Sequence, residues 1–292
     1  MPAFNYFHVD VFANRPYSGN GLAVLLHTEN WSTEFMQTLT QEMQQFESIF
    51  LSHIQTKKTY SATARIFTVE EEWPFAGHPM LGAAAILHRT HASQDPECMW
   101  SIKVGERKIA VSSKQLGDHF LCQMNQGRPV VQGTLTHHAV NSILQRMGLQ
   151  VTDLIQELPP QVISTGLDYL ILPIHSSAID KVQFCGTDLE QELAKLNAKF
   201  VFIFDIQNRE IRTWDNTGKV EDIATGSAAG PAAAYLYEHD IVKADQLIQI
   251  HQGRFRQRPS LLTVEKTPDG EILVSGAVCG VSAGYLEAMP QQ

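Results

Sequence analysis

The chain has 292 residues, of which 43% are apolar and 18% charged, with a formal net charge of −9. This is the composition of a globular enzyme, and the acidic balance excludes nucleic acid as the main partner, because a phosphate backbone needs a basic face. No run approaches the ~20 apolar residues of a membrane span. The opening MPAFNYFHVDVF also lacks the basic and apolar regions of a secretory signal, so a cytoplasmic location with no membrane partner is expected.

In chain order, FHVDVF (7–12) reads as a first strand, followed by a polar turn, ANRPYSGN (13–20), and Asp10 and Asn20 are expected to help shape the site. Ser32 is placed to cap a helix whose apolar positions Met36, Leu39 and Met43 fall at helical spacing. Strands follow at SIFLSH (48–53) and ARIFTV (64–69), then a glycine turn and a helix that is apolar all round, AGHPMLGAAAIL (76–87). After KIAVSS (108–113) the cluster of Gly, Pro and polar residues in NQGRPVVQG (125–133) reads as a linker. A helix is expected over 136–147 on Val140, Ile143, Leu144 and Met147. YLILPI (169–174) is a strand. Thr187 and Glu190 then have capping-box spacing ahead of Leu193 and Leu196, and KFVFIFDI (199–206) is another strand. VEDIATGSAAGPAAAYL (220–236) is a second Gly turn and all-apolar helix. HQGRFRQRPS (251–260) alternates Arg254, Arg256 and Arg258 as a solvated strand edge would, and LLTVEK and EILVSG close the series.

The two halves rhyme. AGHPMLGAAAIL matches TGSAAGPAAAYL, with Gly77 against Gly226 and His78 against Ser227. FESIFL (46–51) resembles FVFIFD (200–205), and SGNGLAVLL (18–26) resembles STGLDYLIL (164–172), in the same order and at near-constant offset. This suggests a duplicated domain. A helix without a polar face must be buried on every side, so each half is expected to wrap a curved sheet or barrel around its apolar helix. The boundaries expected are 1–125 for the first lobe and 126–277 for the second.

Two glycine turns that open buried helices also suggest chemistry. The first N–H groups of a helix have no intrahelical partner, and the dipole places partial positive charge there. Pro79 and Pro231 are expected in the first turns, where proline loses no hydrogen bond. If both starts faced one cleft they would cradle a small carboxylate or other anion. Neither start fits a P-loop or a dinucleotide fingerprint. Cys98, Cys122, Cys185 and Cys279 are far apart and form no CxxC pair, so buried reduced thiols are expected. His137-His138 and HRTH (88–91) lack a nearby third ligand, so no metal is expected.

FESIFL, PFAGHPMLGAAA, VEDIATGSAAGP and HQGRFRQRPS, in this order, resemble the phenazine-biosynthesis PhzF-like family of the diaminopimelate epimerase fold superfamily. The resemblance spans nearly the whole chain. It implies an α+β fold of two pseudo-symmetric lobes, each a β-barrel around a central helix, with the site between them and no cofactor. It also implies that a last strand, about 278–292, returns to lobe one, and that the protein is a homodimer. Carried over by motif, Glu47 is the catalytic carboxylate, and Gly77, His78, Asp222, Gly226 and Ser227 are substrate contacts. The superfamily's racemases place a reactive Cys before the Gly of each helix start; Ala76 and Thr225 stand there in this chain. Relatives often have Phe-Thr-Pro and Phe-Ser-Pro before the two motifs, where this chain has Phe67-Thr68-Val69 and Thr213-Trp214-Asp215.

The apolar neighbours Phe46, Ile49 and Phe50 would disfavour the charged form of Glu47 and raise its pKa toward neutrality. Such a group can take a proton from one carbon and return it at another. The expected function is therefore a cofactor-independent isomerase of a small carboxylate-bearing metabolite, such as a dihydro-3-hydroxyanthranilate. Two alternatives stand beside it: an amino-acid racemase or epimerase without the thiol pair, and a non-catalytic protein that binds a small anion.

Overall fold

The computed structural model describes residues 4–27, 30–57, 59–184, 188–243 and 245–287. In chain order the elements are β1 (Phe4–Val11), β2 (Asn20–Leu26), α1 (Thr33–Met43), β3 (Glu47–Gln55), β4 (Tyr60–Thr68), β5 (Glu72–Trp73), α2 (Gly77–His91), β6 (Glu97–Val104), β7 (Arg107–Leu116) and β8 (His119–Gly127). They continue as β9 (Val130–Thr134), α3 (Asn141–Arg146), β10 (Gln161–Ser164), β11 (Asp168–Ile174), α4 (Glu190–Lys195), β12 (Phe200–Asp205) and β13 (Glu210–Thr213). The last are α5 (Gly226–Glu238), β14 (Ile248–Gln252), β15 (Ser260–Lys266) and β16 (Ile272–Leu286).

The chain divides into two units. One runs up to Asn125 and resumes at Ser275; the other is Gln126–Val274. In the first, strands run in the order β1-β2-β3-β4-β6-β7-β8-β16, and β16 pairs back onto β1, which closes an eight-stranded barrel. β6 shows period-two burial, burying Cys98, Trp100, Ile102 and Val104 and exposing the residues between, whereas β2 and the start of β3 are buried continuously. α2 lies against β1, β2, β3, β6 and β7, and every residue from Gly77 to His88 is buried. α1 is amphipathic, burying Phe35, Met36, Leu39 and Thr40, and Ser32 caps it by accepting from the Phe35 N–H at 3.2 Å.

The second unit orders its strands β15-β14-β13-β12-β11-β10-β9, and α5 packs against β10, β11, β14 and β15. Its hydrogen-bond pattern repeats that of the first unit. β2 and β3 pair in parallel, as do β11 and β12; β3 and β4 pair antiparallel, as do β12 and β13. β4 and β6 are parallel, as are β13 and β14, and a hairpin follows in both cases. Each parallel step is bridged by a helical segment, because a parallel pair needs a crossover.

Several expectations are corrected. NQGRPVVQG is not a loop: residues 125–127 end β8 and 130–133 lie in β9, leaving only Arg128-Pro129 between strands. The residues that read as a linker belong to the end of β8 and to the largely exposed strand β9, a pattern local composition does not separate from a loop. The helix expected over 136–147 is a 3₁₀ turn, His137–Val140, running into α3, with Val140, Ile143, Leu144 and Met147 all buried. Arg254, Arg256 and Arg258 do not line a strand edge. Gly253, at φ +87°, opens a 3₁₀ turn over Arg254–Arg256. There Arg254 pairs with Glu210 and Asp180, both at 2.8 Å, and Phe255 stacks under the Arg212 guanidinium. Pro79 sits in the first turn as expected, but Pro231 lies inside α5, because three more residues separate it from the opening glycine. It leaves the Ser227 carbonyl without its intrahelical donor. Thr187 and Cys185 lie outside the described residues, as do 288–292; α4 starts after Leu189, with the Glu190 N–H bonded to the Asp188 carboxylate at 2.8 Å.

Candidate active site

Glu47 is the first residue of β3. It pairs in register with Leu22 on one side and Thr68 on the other. The face it occupies is identified by Gly82: a Cβ there would lie 2.3 Å from Leu22 Cδ2 and 3.3 Å from Val9 Cγ2. The missing side chain lets α2 press onto the rung that Leu22 shares with Glu47. The α2 start is therefore brought to the carboxylate. His78 Nδ1 stands 3.5 Å from Glu47 Oε2, and the two residues are 5% and 4% exposed. At that separation the pair is in electrostatic contact rather than a formed hydrogen bond. Desolvation lowers the His78 pKa to about 3, so its imidazole is neutral at neutral pH. Its Nε2 has no hydrogen-bond partner among the described residues. Gly77 opens α2 behind Ala76, whose extended backbone (φ −146°, ψ 146°) and lack of a side-chain acceptor leave the first turn without a side-chain cap.

In the second unit the chain leaves β13 through Trp214, which bridges to Glu221, and returns so that the Asp222 N–H bonds Thr213 O at 3.0 Å. Arg212 clamps this excursion. Its guanidinium bonds both carboxylate oxygens of Glu221, at 2.7 and 2.9 Å, and lies over the rings of Trp214 and Phe255. Asp222 accepts the Thr225 hydroxyl at 2.5 Å, which uses the side chain that would otherwise cap α5. Ser227 Oγ, in the first turn of α5, lies 2.8 Å from the hydroxyl of buried Tyr169 on β11. The Gly226 carbonyl accepts from Gln126 at 2.9 Å. The Gln126 oxygen and Thr165 hydroxyl fill the space where a Gly230 Cβ would stand, at 2.3 and 2.8 Å.

The structure thus gathers Glu47, Gly77 and His78 in the first unit, and Asp222, Gly226 and Ser227 in the second. Glu47 occurs once. By the match of FESIFL to FVFIFD its counterpart in the second unit is Val201, which has no acid–base chemistry. Sequence reading missed Tyr169, Gln126 and Gln252. Gln252 accepts from the Thr225 N–H and donates to the Asp222 carbonyl and the Thr225 hydroxyl. Its motif, HQG, was visible, but nothing along the chain showed what the amide would reach. Cys98, Cys122 and Cys279 are free and buried; burial raises all three thiols, Cys279 to about 11, so they are not poised nucleophiles. Among the described residues no three His, Cys, Asp or Glu side chains are grouped to hold a metal, and no helix is long and apolar enough to cross a membrane.

Chemically, a buried carboxylate beside a neutral imidazole is an acid–base pair. The uncapped helix starts offer N–H groups and positive dipole ends to an anion.

A family model described as phenazine biosynthesis-like protein (PhzC-PhzF) matches residues 9–284. The chain is 30% identical, over 97% of its own length and 97% of the relative's, to the trans-2,3-dihydro-3-hydroxyanthranilate isomerase of Pseudomonas aeruginosa. The solved structure of a predicted epimerase from the same species superposes with a TM-score of 0.90 at 43% identity, covering 97% of this chain and 99% of that one. A probable proline racemase from Agrobacterium radiobacter shares the fold alone, with a TM-score of 0.57 at 11% identity over 98% of this chain and 94% of that one.

Proposed function

The chain belongs to the phenazine biosynthesis-like protein family and is a PhzF-like isomerase; from that premise we propose that it moves a proton between two carbons of a small carboxylate-bearing metabolite, with Glu47 as base and then acid. The observation that carries this reading is the buried Glu47–His78 pair, whose carboxylate has Val201 as its counterpart in the sequence repeat.

In the proposed sequence the Glu47 carboxylate takes a proton from the substrate carbon, and the electron pair left behind delocalises into the substrate's conjugated system. Glu47, now the acid, returns the proton at a second carbon, so atoms and electrons balance within one substrate. Neutral His78 can turn its Nδ1–H toward the carboxylate as a hydrogen-bond donor. In the first unit Gly77 would offer an N–H group to an anionic substrate and His78 would hold one of its polar groups; Asp222, Gly226 and Ser227 are the substrate contacts proposed in the second unit. The Pseudomonas relative's substrate is the first candidate.

The predicted-epimerase name of one structural neighbour favours a second reading. Epimerisation needs a second base on the opposite face of the stereocentre. At the two positions where the superfamily's racemases carry thiols, Ala76 has no proton to exchange, and the Thr225 hydroxyl is committed to Asp222. The proton shift therefore has the stronger support.

The test is proton NMR of trans-2,3-dihydro-3-hydroxyanthranilate in D₂O with the wild type and with Glu47→Gln. The reading expects isomerisation with deuterium incorporation by the wild type, and turnover lowered by at least about 100-fold in the variant. Exchange at a stereocentre without isomerisation would favour the epimerase. No reaction despite binding would remove this substrate.

A further inference from the structure

We propose that Gln252 is a positioning residue of this enzyme: its amide dictates the direction of the Thr225 hydroxyl and thereby holds the Asp222 carboxylate in one orientation at the start of α5. The inference rests on the reading of Asp222 as a substrate contact.

Gln252 is the last residue of β14 and 2% exposed. A buried amide is tolerated only when its polar atoms are satisfied. The oxygen accepts the Thr225 N–H at 2.8 Å, which fixes the flip of the amide, since an N–H cannot accept. The nitrogen donates twice, to the Asp222 carbonyl at 3.0 Å and to the Thr225 hydroxyl oxygen at 2.9 Å. With its oxygen receiving that donor, the Thr225 hydroxyl turns its one proton to Asp222 Oδ2, 2.5 Å away. One side chain therefore holds the backbone at both ends of the 222–225 turn and sets the polarity of the bond inside it. Such networks act as units.

The residue that follows explains how β14 reaches the turn. Gly253 has φ +87°, and a Cβ there would lie 2.6 Å from Ile223 O and 2.3 Å from Arg258 O. Only glycine allows the strand end to lie against Ile223, and this brings the preceding amide onto Asp222 and Thr225. The HQG of the sequence is thus a unit: the glycine permits the approach and the glutamine makes the bonds.

The experiment uses the full chain, with trans-2,3-dihydro-3-hydroxyanthranilate as substrate and the ¹³Cγ signal of Asp222, assigned through Asp222→Asn, as a readout that needs no substrate. Gln252→Glu keeps the shape and removes both donors. It is expected to lower kcat on the order of 100-fold with KM little changed, since misplacing a contact group by about 1 Å has that effect. Thr225→Val should do the same, the double variant should be no worse than either single, and Thr225→Ser should restore kcat. Both Gln252→Glu and Thr225→Val should displace the Asp222 signal, and Thr225→Ser should not. An unmoved Asp222 signal in folded Gln252→Glu would overturn the inference whether or not the protein turns over this substrate. Losses that multiply in the double variant would overturn it as well. If Gln252→Glu does not fold, the Thr225→Val and Thr225→Ser pair decides through the same signal: displacement by the first alone supports the lock, and displacement by neither sinks it. A wild type inert toward the substrate, with the Asp222 signal behaving as described, would count against the substrate and in favour of Gln252.

Discussion

His78 shows how burial turns an ordinary side chain into a fixed chemical state. The unfolded chain takes up its proton near pH 6.5, whereas desolvation holds the folded site neutral down to about 3. A depressed pKa means that stability is intact above 6.5 and is lost as pH falls toward 3, because the unfolded state binds the proton first. Replacing His78 with Gln should therefore flatten the pH dependence of the unfolding free energy in that window by up to about 1.4 kcal/mol per pH unit. Urea unfolding at several pH values checks this; equal slopes in the two proteins would mean that His78 protonates in place. At this scale the sequence carried a good deal. Glu47 and His78 were both singled out from motifs, FESIFL and AGHP. Their 3.5 Å approach was not, because it depends on a strand register and a helix placement far apart along the chain.

Elements raise a different question, which is how a helix start is aimed. α2 reaches the Glu47 rung because Gly82 has no side chain to hold it off Leu22. Gly82→Ala gains about 0.5–1 kcal/mol of helix propensity. It also forces a methyl to within 2.3 Å of Leu22 Cδ2, which is fully buried and has little room to turn. Overpacking of this kind destabilises by about 1–3 kcal/mol. The net expectation is a less stable protein by roughly 1 kcal/mol, read as a lower Tm, with turnover falling further than stability as His78 moves relative to Glu47. A variant with wild-type Tm and turnover would show that α2 has slack against β2. Burial of both all-apolar helices was legible, since no orientation of such a surface is comfortable in water. The Arg254–Arg258 turn was not: alternation of three arginines fits a strand, and only the left-handed Gly253, with Phe255 packed under Arg212, turns it aside.

At the scale of the whole molecule, the repeat governs the layout. The same sequence of parallel and antiparallel pairings occurs twice, and the barrel of the first unit is completed by the far end of the chain, through the pairing of β16 with β1. Without that strand β1 and β8 would each present an open edge. A chain ended after Val274 should lose slow amide exchange across β1 and β2 and should aggregate. A synthetic peptide of residues 275–287 should restore protection in part. Hydrogen exchange by mass spectrometry reads both, and unchanged protection in the shortened chain would show that the barrel does not depend on closure.

Read alone, the sequence determined the duplicated order of strands and the two buried helices with their glycine starts; the candidate site residues were carried over from motifs. All of these follow from neighbours along the chain: apolar periodicity, caps and turn residues act over a few positions. What only the tertiary structure decided is which of those residues meet. The Glu47–His78 contact and the amide of Gln252 on a turn 27 to 30 residues away arise from ladder register and from close approaches that two glycines permit. No spacing in the sequence encodes such distances, because they are set by how separate elements pack.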